Sequence, residues 1–357
     1  MSKKPLILGI ESSCDETAAS LITENEEGFP VVLSNIVSSQ VEVHREFGGV
    51  VPELAARSHI EKIDWIVKKA IDESGRKIEE IDAVASTAGP GLIVCLSVGL
   101  SFGKAFATAM NKPFIAVNHL EGHALSPKLN TNLNYPYLLL LISGGHSQYL
   151  SVQNLGKYKR LGTTIDDALG EAFDKTAKLL GIEFPGGPQI EILAKKGDPE
   201  KYDLPKPIFS KGGCNLSFAG LKTAVLKISK TIKSEQDKYD LAASFQKTIE
   251  EILYKKTKIA FTEFEKINEL NEKIFVVAGG VAANKKIRSM LINLCEENNY
   301  KSIFPPIEFC GDNAAMIAMV GLEKFKINQF DDLDYPAKPR WPLDENAAFL
   351  KGAGVQL

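Results

Sequence analysis

The chain has 357 residues, of which 42 are basic and 45 acidic, for a formal charge of −3. That length exceeds what a single hydrophobic core usually fills, so at least two lobes are expected. A near-balanced charge excludes attraction of a polyanion by the whole-protein field, and any such partner must be held by local patches.

In chain order, residues 5–11 (PLILGIE) and 17–23 (TAASLIT) read as two strands flanking a polar turn, SSCDE. The apolar run at the basic start is too short for a signal peptide. Pro52 opens a helix at VPELAARSHIEKIDWIVKKAIDES. A strand follows at IDAVASTAG, then a helix through GLIVCLSVGLSFGKAFATAM. Next comes NHLEGHAL, residues 118–125, whose two histidines, His119 and His123, fall on one helix face and can meet one cation. A zinc protease of the H-E-x-x-H type sets its glutamate directly after the first histidine, within reach of metal-bound water. Here that position is Leu120, and Glu121 is rotated to the far side. The bland alternative is one capping and one packed histidine.

Residues 137–152 (YLLLLISGGHSQYLSV) repeat the opening pattern of strand, small-residue turn and strand, with Gly144 and Gly145 at the bend, which suggests duplicated lobes. The apolar run is far too short to span a bilayer, and a soluble protein is expected. In IDDALGEAFDKTAK, Asp166 and Asp167 read as cap and first-turn charges, whereas Asp174 lies mid-helix and asks for a partner. Residues 183–235 are the least regular stretch and read as an insertion of loops and short helices. Helices at DLAASFQKTIEEILYKKTKIAFTEF and VAANKKIRSMLINLCEE bracket a buried strand, KIFVVAGG, so the class is α/β. Three turns, ESSCDET, LISGGHS and VVAGGVAAN, let backbone amides approach phosphate oxygens. The last runs into a helix, where Asn284 either reaches a ligand or simply starts the helix. Asp312, in FCGDNAAMIAM, is either a plain N-cap or the third ligand that a two-histidine metal site needs. Five cysteines, odd in number and without a C-x-x-C pair, point to a reducing compartment, the cytoplasm fitting best.

Taken together, ILGIESSCDETAASL, NHLEGHALSP, LLLLISGGHSQYL, GEAFDKTAKLLG, FPGGPQIE, NLSFAGLKTA, AGGVAANKKIR, CGDNAAMIA and PRWPLD closely resemble the TsaD family of bacterial tRNA threonylcarbamoyladenosine-modifying enzymes, along nearly the whole chain. The resemblance implies a two-lobed actin/Hsp70-like (ribonuclease-H-like, ASKHA) fold with nucleotide in the cleft between lobes. The first lobe would span 1–127, completed by 313–345, and the second 128–312. His119, His123 and Asp312 match the family's ligands for one divalent metal, iron(II) or zinc. Leu141, Ile142, Ser143, Gly144, Gly145, Asp174, Gly187, Glu191 and Asn284 match its nucleotide-substrate contacts, Glu191 at a position that varies between branches. Asp15 and Glu16 match acidic residues used near the reacting centre, a turn-capping role being the alternative for Asp15.

The activity implied is transfer of the threonylcarbamoyl group from threonylcarbamoyl-AMP to the N6 amine of the adenosine 3′ of the anticodon, in tRNAs reading codons that begin with A, with ATP or ADP as a further possible ligand. The implied partners are tRNA, a TsaB-like paralogue and a TsaE-like ATPase, with TsaC making the donor. For tRNA, the segment from Lys195 to Lys233 carries nine lysines against three acidic residues. Two other readings compete: a metalloprotease, which lacks its water-activating carboxylate, and a sugar-kinase or Hsp70-like ATPase, against which the histidine pair counts.

Overall fold

The segments ILGIE and YLLLLI are buried at every residue, and each lies at the middle of a five-stranded sheet in the computed structural model, which describes residues 4–209 and 211–348. A continuous apolar run suits a strand covered on both faces, and helices provide that cover. The chain divides into two compact units, one within Met1–Leu133 and Pro305–Glu345, the other within Asn134–Phe304 and Asn346–Leu357.

In the first unit β1 (Ile7–Glu11), β2 (Glu16–Glu24) and β3 (Pro30–Ser39) form an antiparallel meander. A short helix α1 (Val41–Arg45) leads to α2 (Pro52–Ser74), which starts with proline at its first position and stops at Gly75 in the left-handed region. Strand β4 (Ala83–Gly89), helix α3 (Ile93–Ala109) and strand β5 (Phe114–Asn118) follow, β4 and β5 adding in parallel to the open side of β1. β5 runs without a loop into α4 (His119–Leu125), capped by the Asn118 side chain, which accepts from Leu120 N–H at 2.9 Å.

The second unit repeats the plan. β6 (Tyr137–Ile142), β7 (Ser147–Asn154) and β8 (Lys157–Thr163) form the meander. Helices α5 (Leu169–Leu179), α6 (Gly186–Ala194), α7 (Ala219–Ser229) and α8 (Glu235–Ile267) come next; a Ser234–Asp237 capping box starts the last. Then β9 (Ile274–Ala278), α9 (Lys285–Glu297) and β10 (Lys301–Ile303) complete the sheet, β9 pairing in parallel with both β6 and β10. The chain finally returns to the first unit with α10 (Ala314–Lys326), ten of whose thirteen residues are buried against the first sheet and α4. Among the described residues no helix is long and apolar enough to cross a membrane.

Two expectations are corrected here. The division between units falls at 133/134 and 304/305 rather than at 127/128 and 312/313. The turn Ser126–Leu129 packs on α10, and residues 305–313 lead directly into that helix, so both stay with the first unit. Asp166 and Asp167 do not cap the helix that follows them, which begins only at Leu169 after Ala168. Asp166 instead caps α7, accepting from the Phe218 and Ala219 N–H groups at 2.7 and 3.2 Å, and Asp167 pairs with Lys222 at 2.6 Å. A free aspartate serves whichever helix start the packing brings to it, however distant in sequence.

Candidate functional site

In the first unit His119 and His123 stand one turn apart on α4, with ring centroids 4.8 Å apart and planes at 86°. Asp312, directly before α10, places Oδ1 at 3.5 Å from His119 Nε2 and 3.1 Å from His123 Nε2. It is free to do so because its neighbour Asn313 takes the capping role, accepting from Met316 N–H at 3.0 Å. The plain N-cap reading of Asp312 is therefore set aside. One ligand atom from each of the three residues lies within 4.8 Å of the others, and two imidazole nitrogens with a carboxylate oxygen are a donor set that suits a divalent cation.

The electrostatics point the same way. Burial pushes the His119 imidazole down, but Glu11 and Asp312 on either side outweigh it and hold it well above its ordinary range. Burial likewise works to raise the Asp312 carboxyl, and the two histidines hold it well below the usual carboxylate range. The cluster is built to place positive charge between carboxylates, which is where a metal cation fits.

Glu121 faces elsewhere. Its carboxylate lies 3.8 Å from the buried Lys324 ammonium on α10, which also donates to Ala116 O at 3.0 Å. The one glutamate between the histidines thus serves packing, and the protease arrangement is absent at this site.

The turn between β1 and β2 ends at Asp15 and is followed by Glu16 at the start of β2, both half-buried. Residues other than Asp15 hold its backbone: Leu92 N–H donates to Ser13 O at 2.9 Å, His59 Nε2 to Cys14 O at 3.0 Å and Gln40 N–H to Asp15 O at 3.0 Å. Burial, then the charges of Asp312 and Asp15, push the Glu16 carboxyl well above its normal range. The same causes, burial first, raise the Cys14 thiol, which stays uncharged. Glu16 is therefore an electrostatic neighbour of Asp312 in the cluster, with Asp15 beside it.

In the second unit the β6–β7 turn is closed by Ser143, whose N–H donates to His146 O at 2.8 Å and whose Oγ accepts from His146 N–H at 3.2 Å. Gly144 and Gly145 are exposed, take no left-handed conformation, and have open space where a Cβ would sit. The fold does not demand glycine there, so the room they leave is available to a ligand approaching the backbone. Leu141 and Ile142 are wholly buried, so these two can offer a ligand only main-chain atoms. The mid-helix Asp174 has its partner: Oδ1 accepts from Gly186 N–H at 2.8 Å, at the start of α6, where Gly187 is half-buried with little around it. Glu191 accepts from Lys285 N–H at 3.1 Å and ties α6 to α9. Asn284 starts α9, accepting from Lys286 and Ile287 N–H at 3.1 and 3.0 Å while donating to Gln246 at 3.0 Å. Its side chain is thus committed to the helix-start role.

Three residues of the first site escaped the sequence reading: Glu11, which faces His119 Nδ1 at 3.0 Å, and Ser13 and Thr87, which donate to the Glu11 carboxylate. Glu11 had a visible signal, a lone charge ending an otherwise apolar strand; the others had none.

Two ribonuclease-H-like sheets of the same strand order, with a histidine–carboxylate cluster in one unit, define an α/β protein of the actin/Hsp70-like (ASKHA) class. Two HypF structures share the fold: that from T. kodakarensis superposes with a TM-score of 0.62 at 14% identity over 91% of this chain, and full-length HypF in its phosphate- and nucleotide-bound form with 0.59 at 13% over 93%. The chain spans about half the length of each, 48%. The family model for tRNA N6-adenosine threonylcarbamoyltransferase (TsaD) matches residues 31–319. Curated enzymes of that name are 80% identical in Pelagibacter ubique over 100% of both chains, 54% in Rickettsia conorii over 95% of this chain and 98% of theirs, and 50% in Caulobacter vibrioides over 98% and 95%. The chain belongs to the TsaD family and is a transferase that carries a threonylcarbamoyl group to N6 of adenosine in tRNA.

Proposed function

We propose that the donor is threonylcarbamoyl-AMP, that the acceptor is the adenosine 3′ of the anticodon in tRNAs reading codons that begin with A, and that AMP is released. An adenine exocyclic amine is a weak nucleophile because its lone pair is delocalised into the ring. The amine therefore needs a base, and the donor carbonyl needs a good leaving group. In the step, N6 bonds to the carbamoyl carbon, the carbon–oxygen bond to phosphate breaks, and the amine loses a proton. Asp15 accepts that proton: other residues hold the backbone of its turn, and its carboxylate hydrogen-bonds the neighbouring Glu16 and Cys14 side chains rather than capping the turn. Within the Ser143–Gly145 turn the Gly144 and Gly145 amides take the phosphate charge, supported by the open space at both glycines, while the Ser143 N–H stays bonded to His146 O. Asp174, Gly187, Glu191 and Asn284 shape the same nucleotide-facing surface, the first and last two by holding the starts of α6 and α9. His119, His123 and Asp312 hold one iron(II) or zinc, which supplies Lewis acidity toward the donor's oxygens.

A cytoplasmic setting fits the five free thiols. For tRNA, the lysine-rich stretch from Lys195 to Lys233 offers phosphate contacts, although Lys222 and Lys206 are already paired with Asp167 and Glu251. A TsaB-like paralogue and a TsaE-like ATPase remain the expected assembly partners.

The observation that carries this reading is the meeting of His119, His123 and Asp312, from segments 189 residues apart, beside the acidic β1–β2 turn. The test is nucleoside mass spectrometry of tRNA incubated with threonylcarbamoyl-AMP and the partner proteins, alongside single-turnover rates for Asp15→Asn. Modified adenosine should appear with the wild type, and Asp15→Asn should transfer about a hundredfold more slowly with donor binding retained. A wild-type rate for Asp15→Asn removes the base from Asp15; absence of modification with every partner present removes the donor assignment.

A further inference from the structure

The two candidate ligand histidines are held in opposite ways. His123 has Nδ1 buried with no hydrogen-bond partner. His119 has Nδ1 at 3.0 Å from Glu11 Oε2 and 3.2 Å from Ser13 Oγ, while its Nε2 faces Asp312. Glu11, only 1% exposed, ends the central strand β1, and its carboxylate is fully engaged. Oε1 accepts from Ser13 N–H at 2.5 Å, and Oε2 accepts from the Thr87 hydroxyl at 2.6 Å as well as facing His119.

We infer that Glu11 is a positioning residue for the metal centre, fixing His119 as the tautomer with its proton on Nδ1 and its Nε2 lone pair presented to the cation. The inference rests on reading His119, His123 and Asp312 as metal ligands. A carboxylate behind an imidazole orients the ring and raises the basicity of the opposite nitrogen. It also adds a second negative charge to that of Asp312, so that the dication is balanced within the site. Among the described residues nothing comparable stands behind His123, so this tuning acts at His119, where Glu11 supplies the charged partner.

The donors around Glu11 show why an amide cannot replace it. In Glu11→Gln, an amide nitrogen turned toward Ser13 would set two N–H groups against each other. Turned the other way, it would donate to His119 Nδ1 and select the tautomer whose proton occupies Nε2, the ligand position. Either orientation penalises metal binding in a side chain of almost unchanged volume.

The measurement is Co²⁺ titration of the full-length metal-depleted protein, followed by the cobalt d–d absorption, with competition by a chromophoric chelator and thermal melting in parallel. Glu11→Gln should bind Co²⁺ about tenfold to a hundredfold more weakly, with an altered absorption band and a cooperative melt. An affinity within about twofold of wild type overturns the inference while leaving the metal reading intact, provided a His119→Ala, His123→Ala variant loses Co²⁺. If that double variant binds as well as wild type, the metal reading falls and the inference with it. Should Glu11→Gln fail to fold, ring ¹⁵N shifts of the zinc-loaded wild type decide. His119 protonated at Nδ1 and ligated through Nε2 upholds the inference, and the reverse overturns it.

Discussion

Glu121 shows how a single residue decides between two chemistries that the same short stretch suggests. Its place between two histidines invites a hydrolytic reading, yet both its side chain and that of Lys324 are more than nine-tenths buried and only 3.8 Å apart. Removing one partner of such a pair leaves a buried charge uncompensated. Glu121→Gln should therefore cost about 3 kcal/mol of stability, measured by urea denaturation, with metal content by elemental analysis unchanged. Loss of metal at unchanged stability would place Glu121 in the metal site. Which way Glu121 turns was legible from spacing alone, since a residue two positions along a helix is rotated away from the face shared by residues four apart. That it meets Lys324 was not, because 203 positions separate Glu121 from Lys324 and no local rule reaches that far.

At the scale of elements, α10 is the piece that joins the first sheet to the candidate metal centre, and two glycines set its distance. A Cβ on Gly9 of β1 would lie 2.4 Å from Ala314 O and 2.6 Å from Ala318 N, and one on Gly321 would lie 2.6 Å from Ala85 Cβ. The helix axis can approach this closely only where those carbons are missing. Gly9→Ala must push α10 outward, and Asp312, two residues before the helix, moves with it. The expected result is a loss of about 1–3 kcal/mol in stability together with weaker Co²⁺ binding, read from melting and titration of one sample. Normal values of both would show that the helix can shift without cost. The elements themselves were readable where they are long and periodic, such as α2, α3 and α8, or wholly apolar, such as β1 and β6. The meander strands β3 and β8, with mixed and partly exposed residues, and the three-residue β10 carry too weak a pattern. They become strands because a neighbour offers backbone hydrogen bonds, which is a tertiary cause.

For the whole molecule, the route of the chain makes the two units unequal. The second unit is read almost entirely from one uninterrupted segment, while the first closes only when residues 305–345 return. A fragment of 134–304 should show one cooperative urea transition by circular dichroism. A fragment of 1–133 should not, because one face of its sheet lacks α10 and the apolar residues that helix covers stay in water. Joining 305–345 to 1–133 through a flexible linker should restore cooperativity. A cooperative melt of 1–133 alone would show that α10 is dispensable to the first unit.

The sequence by itself determined the α/β class, the duplicated strand–turn–strand pattern, the pairing of His119 with His123 on one helical face and the family to which the motifs belong. Each depends on residues a few positions apart, where the periods of helix and strand act directly. Tertiary structure decided the rest. It brought Asp312 to the histidines, Glu11 behind His119 and Asp166 to the start of α7, across 189, 108 and about 50 positions. These groups carry strong hydrogen-bonding demands but no local preference for a partner, so only the packing of the sheets and helices selects the atoms they meet.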